Sequence, residues 1–274
     1  MSAGLEQVLA GLGPVAVAVS GGVDSLTLAT IAHRTARDSP LMVHAVSPAV
    51  PGEATERVRD EAAREGWQLR VIEAGEFADP AYRDNPVNRC FFCKTNLYGA
   101  IRRVTDRQIV SGANLDDLGE YRPGLDAARE HGVRHPLVEA GFSKAMVRAL
   151  ARDLGLGAVA ELPAAPCLSS RVETGIRIEP ETLAFIHAVE RLVGEDLTLT
   201  GAGRGARSAV RCRVRAAGIV VELDSQSLAG LTEPAKDDLG RRIAAHAPAR
   251  LAAAPVSFAP YRSGSAFLVG GPAR

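Results

Sequence analysis

The sequence VAVAVSGGVDS, residues 15–25, decides the fold. Its first five residues form a short continuous apolar run, which is typical of a strand buried on both faces of a parallel sheet. The residues from Leu26 onward follow a helical pattern. The segment therefore predicts a strand, a glycine-rich loop and a helix in direct succession.

Strands and helices continue to alternate on the C-terminal side of this segment. The predicted strands are 15–19, 41–46, 69–72 and 108–110, and the predicted helices are 26–37, 55–64, 91–104 and 144–154. Ser143 and Gly155 suit the two ends of the last helix as its N-cap and C′ residues. This alternation predicts an α/β domain with a doubly wound, mostly parallel sheet.

The pattern changes at Leu162–Pro166, where closely spaced prolines favour irregular backbone. Beyond this point the patterns predict a helix at 181–193 and strands at 208–215 and 219–223, followed by more helix. We therefore expect two domains, residues 1–165 and a smaller α+β domain at residues 166–274.

The composition narrows the class of protein. Hydrophobic residues make up 46% of the chain, and 32 basic residues balance 32 acidic ones, which argues against a stable nucleic-acid partner. No apolar run approaches the roughly 18–20 residues that span a bilayer, and residues 1–12 lack the basic start of a secretory signal. We expect a cytoplasmic protein without a membrane partner, whose 4 cysteines stay reduced.

The loop between the first strand and the first helix has the residue types of a phosphate site. Gly21 and Gly22 let a ligand approach the backbone closely, and the helix N-terminus offers free N–H groups. Ser20 and Ser25 add hydroxyl groups, while Asp24 suits a Mg²⁺ ion that bridges phosphates. The alternative is a glycine-rich turn that binds nothing.

Other phosphate motifs fit the chain less well. The chain has no Walker-type G-x-x-x-x-G-K-[ST] sequence. Residues 201–206 match the dinucleotide pattern G-x-G-x-x-A, but the segment that follows alternates like a strand instead of starting a helix, so we discount it.

The cysteines divide into two groups. Cys90 and Cys93 form a C-x-x-C pair, which can point two thiolates at one metal, and Cys167 lies at the junction of the two predicted domains. Cys212 alternates with Val210 and Val214 on one strand face, which predicts a buried apolar side chain.

The first group suits a cluster better than a zinc ion. Structural zinc would need a fourth ligand, and His131 and His135 are separated by Gly132 and followed by Pro136, so they should not share a helix. Three thiolates on a [4Fe–4S] cluster would leave one iron open for a small ligand such as hydrosulfide. The alternative is a set of unrelated reduced thiols.

Arginines supply the candidate contacts to an anionic substrate. Arg211, Arg213 and Arg215 share one face of a predicted strand, and Arg262 follows near the C-terminus. A solvated strand face is the alternative. Arg171, four residues after Cys167, could favour its thiolate.

Residues 20–25 resemble the PP-loop of the ATP pyrophosphatase superfamily, and residues 111–117 and 143–156 resemble two further signatures of it. The resemblance implies cleavage of ATP to AMP and pyrophosphate. It also implies that ATP is bound by the PP-loop together with the residues Gly112, Asn114, Arg122 and Lys144. Lys144 would contact the ATP phosphates, and Asp24 and Asp117 would hold Mg²⁺.

Four further segments, 85–94, 120–124, 166–171 and 261–264, resemble the LarE family of ATP-dependent sulfur transferases in the same order. The resemblance implies adenylylation of a carboxylate of pyridinium-3,5-biscarboxylic acid mononucleotide, and replacement of its oxygen by sulfur, during synthesis of the nickel-pincer nucleotide cofactor of lactate racemase. The implied substrate contacts are Ser170, Arg171, Arg211, Arg213 and Arg262.

Two sources of sulfur occur in that family. In some members the cysteine that matches Cys167 gives up its own sulfur, and members with the C-x-x-C are thought to hold a [4Fe–4S] cluster that delivers added sulfide. The chain resembles the second group, which implies a cluster on Cys90, Cys93 and Cys167, a sulfide source as partner and a homo-oligomer. A sacrificial Cys167, a PP-loop tRNA thiolase and a nucleotide-binding regulator without turnover are the alternatives.

Overall fold

The computed structural model describes residues 2–119, 122–163, 166–199 and 210–268, without the side chains of 198 and 199. The strands are β1 Val15–Ala18, β2 Leu41–Val46, β3 Gln68–Glu73, β4 Gln108–Ser111, β5 Val210–Arg215, β6 Gly218–Leu223 and β7 Val256–Pro260. The α-helices are α1 Ala3–Gly11, α2 Val23–Thr35, α3 Gly52–Glu65, α4 Pro80–Arg83, α5 Arg89–Arg102, α6 Pro123–Glu130, α7 Pro136–Glu139, α8 Lys144–Asp153, α9 Pro180–Leu199, α10 Ser225–Gly230 and α11 Glu233–Ala245.

The chain divides into two compact units. Residues 1–82 and 88–165 form the first unit, and residues 83–87 and 166–274 form the second. Three parts of the sequence analysis lie outside the described residues. They are the discounted pattern at 201–206, residues 120 and 121 of the motif at 120–124, and residues 164 and 165 at the predicted domain junction.

The first unit contains a four-stranded sheet in the order β3-β2-β1-β4. All its pairs are parallel; Ala16 of β1, for example, is in register with Leu41 on one side and Ile109 on the other. The predicted α/β fold with a doubly wound parallel sheet is therefore confirmed.

Each face of this sheet is covered by its own layer of helices. Val15 and Val17 of β1 pack into one core, to which α1, α2, α3 and α8 also contribute, while Ala16 packs into a second core with Tyr98 of α5 and Ala128 of α6. The side chains of a strand alternate between faces, so one apolar run serves both cores.

Strand β3 differs from the interior strand that its apolar run predicted. It pairs only with β2, at the edge of the sheet, and its residues are exposed or half-buried; the side chain of Val71 is 38% exposed. An edge strand lacks a neighbour on one side, and periodicity within the strand does not reveal that position.

The second unit contains a smaller mixed sheet, as the predicted α+β domain requires. Strands β5 and β6 are antiparallel, and β7, which the sequence patterns did not predict, adds in parallel to β6. Asn85 also belongs to this unit. Its φ is 54°, and its side-chain amide donates to the carbonyls of Glu173 and Ile176 at 2.8 and 2.9 Å.

Within the described ranges, we find no helix that is both long and apolar enough to cross a bilayer.

Candidate functional site

A crevice is expected where β1 and β4 end side by side. Helix α2 leaves β1 toward one face of the sheet, and α6, which follows β4, packs on the other face. The two connections therefore diverge at the carboxyl edge, which is where ligands bind in open α/β sheets. Residues 20–25 and 111–117 are these two connections.

The first connection is held in shape by its own serines. The Oγ of Ser25 accepts from the backbone N–H of Ser20 at 3.1 Å and donates to the carbonyl of Gly22 at 3.0 Å. Gly22 is the N-cap of α2 and provides no side-chain cap, so the first amides of the helix remain for a ligand.

Two glycines make the site a cradle into which no side chain fits. Gly21 has a φ of +81°, and a Cβ there would come within 2.6 Å of the carbonyl oxygen of Ala54. A Cβ on Gly112, across the crevice, would lie 2.9 Å from the backbone N of Ser25. The close packing of backbone against backbone fits a ligand such as a polyphosphate, which binds main-chain N–H groups.

The charged side chains of the site converge on Asp24. Its Oδ1 accepts from Nδ2 of Asn114 at 3.2 Å, and its Oδ2 is ion-paired with Nζ of Lys144. Asn114 is 2% exposed, so the pair is held by a buried amide from the other connection. Lys144 is placed by α8, whose N-cap Ser143 accepts from the backbone N–H of Met146 at 3.3 Å.

Asp117 extends this group toward Arg122. Its Oδ2 accepts from the backbone N–H of Asn114 at 3.0 Å, and its Oδ1 lies 2.9 Å from Nη2 of Arg122. The carboxylates of Asp24 and Asp117 are therefore linked through Asn114, and oxygen donors of this kind suit Mg²⁺. The first unit thus brings together the predicted ATP-binding residues, although their roles stay predictions.

Sequence reasoning missed the helix that supports the loop. Nε of Arg57, on α3, donates to the carbonyl of Gly21 at 2.8 Å. The ring of His44 bridges the carbonyl of Val19 and the hydroxyl of Thr55, at 2.8 and 2.9 Å. Burial lowers the pKa of His44 from its usual value, so the ring is neutral at pH 7 and binds Val19 through Nδ1–H. Nothing in the local sequence marks these residues.

Cys90 and Cys93 lie near the same edge of the sheet. Helix α5 connects two parallel strands, so its first turn is at their carboxyl ends, and residues three apart on a helix share a face. A Cβ on Gly124 would lie 3.6 Å from the carbonyl oxygen of Cys90, so the motif that contains Arg122 packs beside the C-x-x-C.

Cys90 and Cys93 on α5 are half-buried, while Cys167 is exposed and belongs to the second unit, so the cluster on these three residues stays a prediction. Among the described residues, no group of three or more His, Cys, Asp or Glu side chains lies close enough to hold a metal ion. As expected, His131 and His135 do not share a helix: one follows α6 and the other precedes α7.

Arg171 holds the backbone around Cys167. Its guanidinium pairs with both carboxylate oxygens of Glu190, at 3.0 and 3.1 Å, and Nη1 donates to the carbonyls of Pro166 and Cys167. The Cys167 side chain itself is exposed. Arg171 thus ties the segment of Cys167 to Glu190, and its predicted effect on the thiol stays a prediction.

The arginines of β5 differ in environment. Arg213 is 4% exposed and donates to Glu222 at 3.1 Å and to the carbonyls of Ser170 and Arg262. These bonds fix the strand to the segments of Ser170 and Arg262, and they make Arg213 a structural residue in this unit rather than an open phosphate ligand. Arg262 is exposed.

Arg211 has a different set of contacts. Its guanidinium lies 5.9 Å from the ring centroid of Tyr261, and burial lowers its pKa from the usual value. Its predicted role in substrate binding stays a prediction.

Cys212 is fully buried, as predicted, and burial raises the pKa of its thiol. We expect Cys212→Ser to keep the activity of the wild type, because the wild-type thiol is fully buried and stays protonated. The buried hydroxyl would lower the free energy of unfolding by roughly 1–3 kcal/mol. Denaturant unfolding and an activity assay check this, and loss of activity in a folded variant would show that Cys212 is more than a buried apolar side chain.

Comparison with known proteins supports the motif resemblance. No family model matches the chain. An uncharacterized protein of Synechocystis sp. is 37% identical over 190 residues, 68% of this chain and 70% of the relative. An uncharacterized protein of Methanocaldococcus jannaschii is 25% identical over 183 residues, 65% of this chain and 69% of the relative.

A third relative carries a functional name. The pyridinium-3,5-bisthiocarboxylic acid mononucleotide synthase of Lactiplantibacillus plantarum is 30% identical over 192 residues, which cover 68% of this chain and 69% of the relative. The likeness extends over about two thirds of both proteins, and the fold is the one that the resemblance implied. The chain therefore belongs to the LarE family, the family of this synthase.

Proposed function

We propose that this protein is an ATP-dependent sulfur transferase that makes a thiocarboxylate on pyridinium-3,5-biscarboxylic acid mononucleotide, in the synthesis of a nickel-pincer cofactor. The relative from L. plantarum is named for such a product. The observation that carries the proposal is the convergence of Asp24, Asn114 and Lys144 on the glycine-rich loop at the ends of β1 and β4.

The first half of the reaction activates the carboxylate. A carboxylate oxygen of the substrate attacks the α-phosphorus of ATP, the bond from that phosphorus to the bridging oxygen breaks, and pyrophosphate leaves. Ser20–Ser25 and the amides of α2 would bind the phosphates, and Lys144 would neutralise charge on the departing group. Asp24 and Asp117 would hold Mg²⁺, which screens phosphate charge when bound.

The second half replaces AMP by sulfur. Hydrosulfide attacks the acyl carbon of the mixed anhydride, the carbon–oxygen bond to AMP breaks, and a thiocarboxylate forms with loss of a proton. When bound, a [4Fe–4S] cluster on Cys90, Cys93 and Cys167 would supply the sulfide. Arg171 would fix the exposed Cys167 loop through the carbonyls of Pro166 and Cys167.

The substrate phosphate needs its own cations. Arg211 and the exposed Arg262 are the candidates in the second unit, and Ser170 provides a hydroxyl. Guanidinium groups suit phosphate oxygens because their planar N–H pairs match two oxygens at once.

Product analysis tests the proposal. Protein reconstituted with iron and sulfide without oxygen is incubated with Mg²⁺, ATP and the dicarboxylate mononucleotide, and the small molecules are analysed by mass spectrometry. We expect AMP, pyrophosphate and a product in which oxygen is replaced by sulfur. ATP cleavage without a thiolated small molecule, or thiolation of added tRNA instead, would contradict it.

A further inference from the structure

We propose that Arg57 is a further ATP-binding residue, whose terminal guanidinium nitrogens bind the part of ATP that leaves as pyrophosphate. The inference rests on the proposed function, because it takes ATP to be the ligand of the loop. It concerns a residue outside the segments that resemble known signatures, on a helix whose sequence shows no binding motif.

The first argument is the position of Arg57. Its Nε donates to the carbonyl of Gly21 at 2.8 Å, and Gly21 packs against Ala54 one turn earlier on α3. The guanidinium is planar and rigid, so this single bond holds the two terminal nitrogens beside the loop.

The second argument is the unbalanced charge. Arg57 is half-buried, and among the residues that the structure describes it has neither a carboxylate within ion-pair distance nor another hydrogen-bond partner. By contrast, Arg34 on α2 and Arg64 on α3 each pair with a glutamate. A cation fixed beside a phosphate loop, with its terminal N–H groups open, is suited to phosphate oxygens.

The third argument identifies which part of ATP lies near Arg57. Helices α3 and α8, which place Arg57 and Lys144, pack on one face of the sheet, while α5, which carries Cys90 and Cys93, packs on the other. Sulfur must reach the acyl group that is joined to the α-phosphate, so the α-phosphate should face α5. The β- and γ-phosphates then extend toward Arg57 and Lys144.

Binding measurements with Arg57→Gln test this without turnover. The variant and the wild type are titrated by calorimetry with ATP, pyrophosphate and AMP, each with Mg²⁺. We expect affinity for ATP and pyrophosphate to fall at least about tenfold, as for loss of a charged hydrogen bond, and affinity for AMP to stay within about twofold. Arg57→Lys should recover part of the loss because it keeps the charge.

Arg59→Gln is the matched control, since Arg59 is exposed on the same helix two residues further on, and it should bind all three ligands as the wild type does. Equal weakening of AMP and ATP in Arg57→Gln would show that Arg57 only supports the loop, and unchanged ATP binding would show no role; either result overturns the inference. If the wild type itself binds neither ATP nor pyrophosphate, the proposed function fails instead.

Discussion

Cys167→Ala is expected to abolish thiocarboxylate formation, by about three orders of magnitude or more, while ATP-dependent release of pyrophosphate continues. The variant removes the only exposed thiol of the second unit's described residues and leaves the loop, Asn114 and Lys144 of the first unit unchanged. In the proposed reaction, activation and sulfur delivery are separate steps, and loss of a thiolate that takes part in the second step blocks that step alone. Pyrophosphate release and product mass are measured in parallel.

Cys212→Ala is the matched control for this experiment, because it removes a thiol that is fully buried. It should lose some stability and keep both half-reactions. Full sulfur transfer by Cys167→Ala would remove Cys167 from the mechanism, whether as cluster ligand or as donor. Simultaneous loss of pyrophosphate release would mean that activation depends on the second unit as well.

The mass of the intact wild-type protein then separates the two sources of sulfur. If Cys167 gives up its own sulfur, the protein loses the mass of one hydrogen sulfide during a single turnover and becomes inactive. If sulfide comes from a cluster, the protein mass stays the same over several turnovers. We expect the protein mass to stay the same. Cys90 and Cys93 share a face of α5, as two ligands of one cluster would, and they lie beside the motif that contains Arg122.

The features of this protein that could be predicted are those that a local sequence pattern determines. The apolar run at 15–19 predicted β1 because a strand buried on both faces has no polar position. Gly21 was expected to let the backbone approach closely, and the structure leaves room there only for a bare backbone against Ala54; phosphate binding stays a prediction. Cys212 was correctly placed in the core by its alternation with valines.

Residues whose role depends on a distant partner could not be predicted in this way. Glu190 and Glu222 carry no motif, yet they hold Arg171 and Arg213, which lie 19 and 9 residues away in sequence. Arg57 is 36 residues from Gly21. Strand β7 follows Pro255 and has Pro260 as its last residue, and prolines usually indicate a break in a strand. Nothing in its local sequence indicates that it pairs in parallel with β6.

Lys144→Met is expected to lower the rate of pyrophosphate release by roughly 10²–10³-fold, which is the loss seen when one group that stabilises transition-state charge is removed. Methionine keeps an unbranched side chain, one atom shorter, and removes the ammonium group with its charge. The ion pair with Asp24 is half-exposed, so its loss should change the free energy of unfolding by less than about 1 kcal/mol. Thermal unfolding and a pyrophosphate assay check the two effects.

Lys236→Met is the control, because Lys236 also pairs with an acid, Glu233, but on α11 of the second unit. It should release pyrophosphate at the wild-type rate. Asp24→Asn then separates two roles for Lys144. If the lysine only holds Asp24 in place, the double variant should be no slower than Asp24→Asn alone; if the ammonium acts on the phosphates itself, the double variant should be slower than either single one. We expect the second result. When ATP is present, the ammonium of Lys144 can leave the carboxylate of Asp24 and bind a phosphate, which brings its charge to the leaving group.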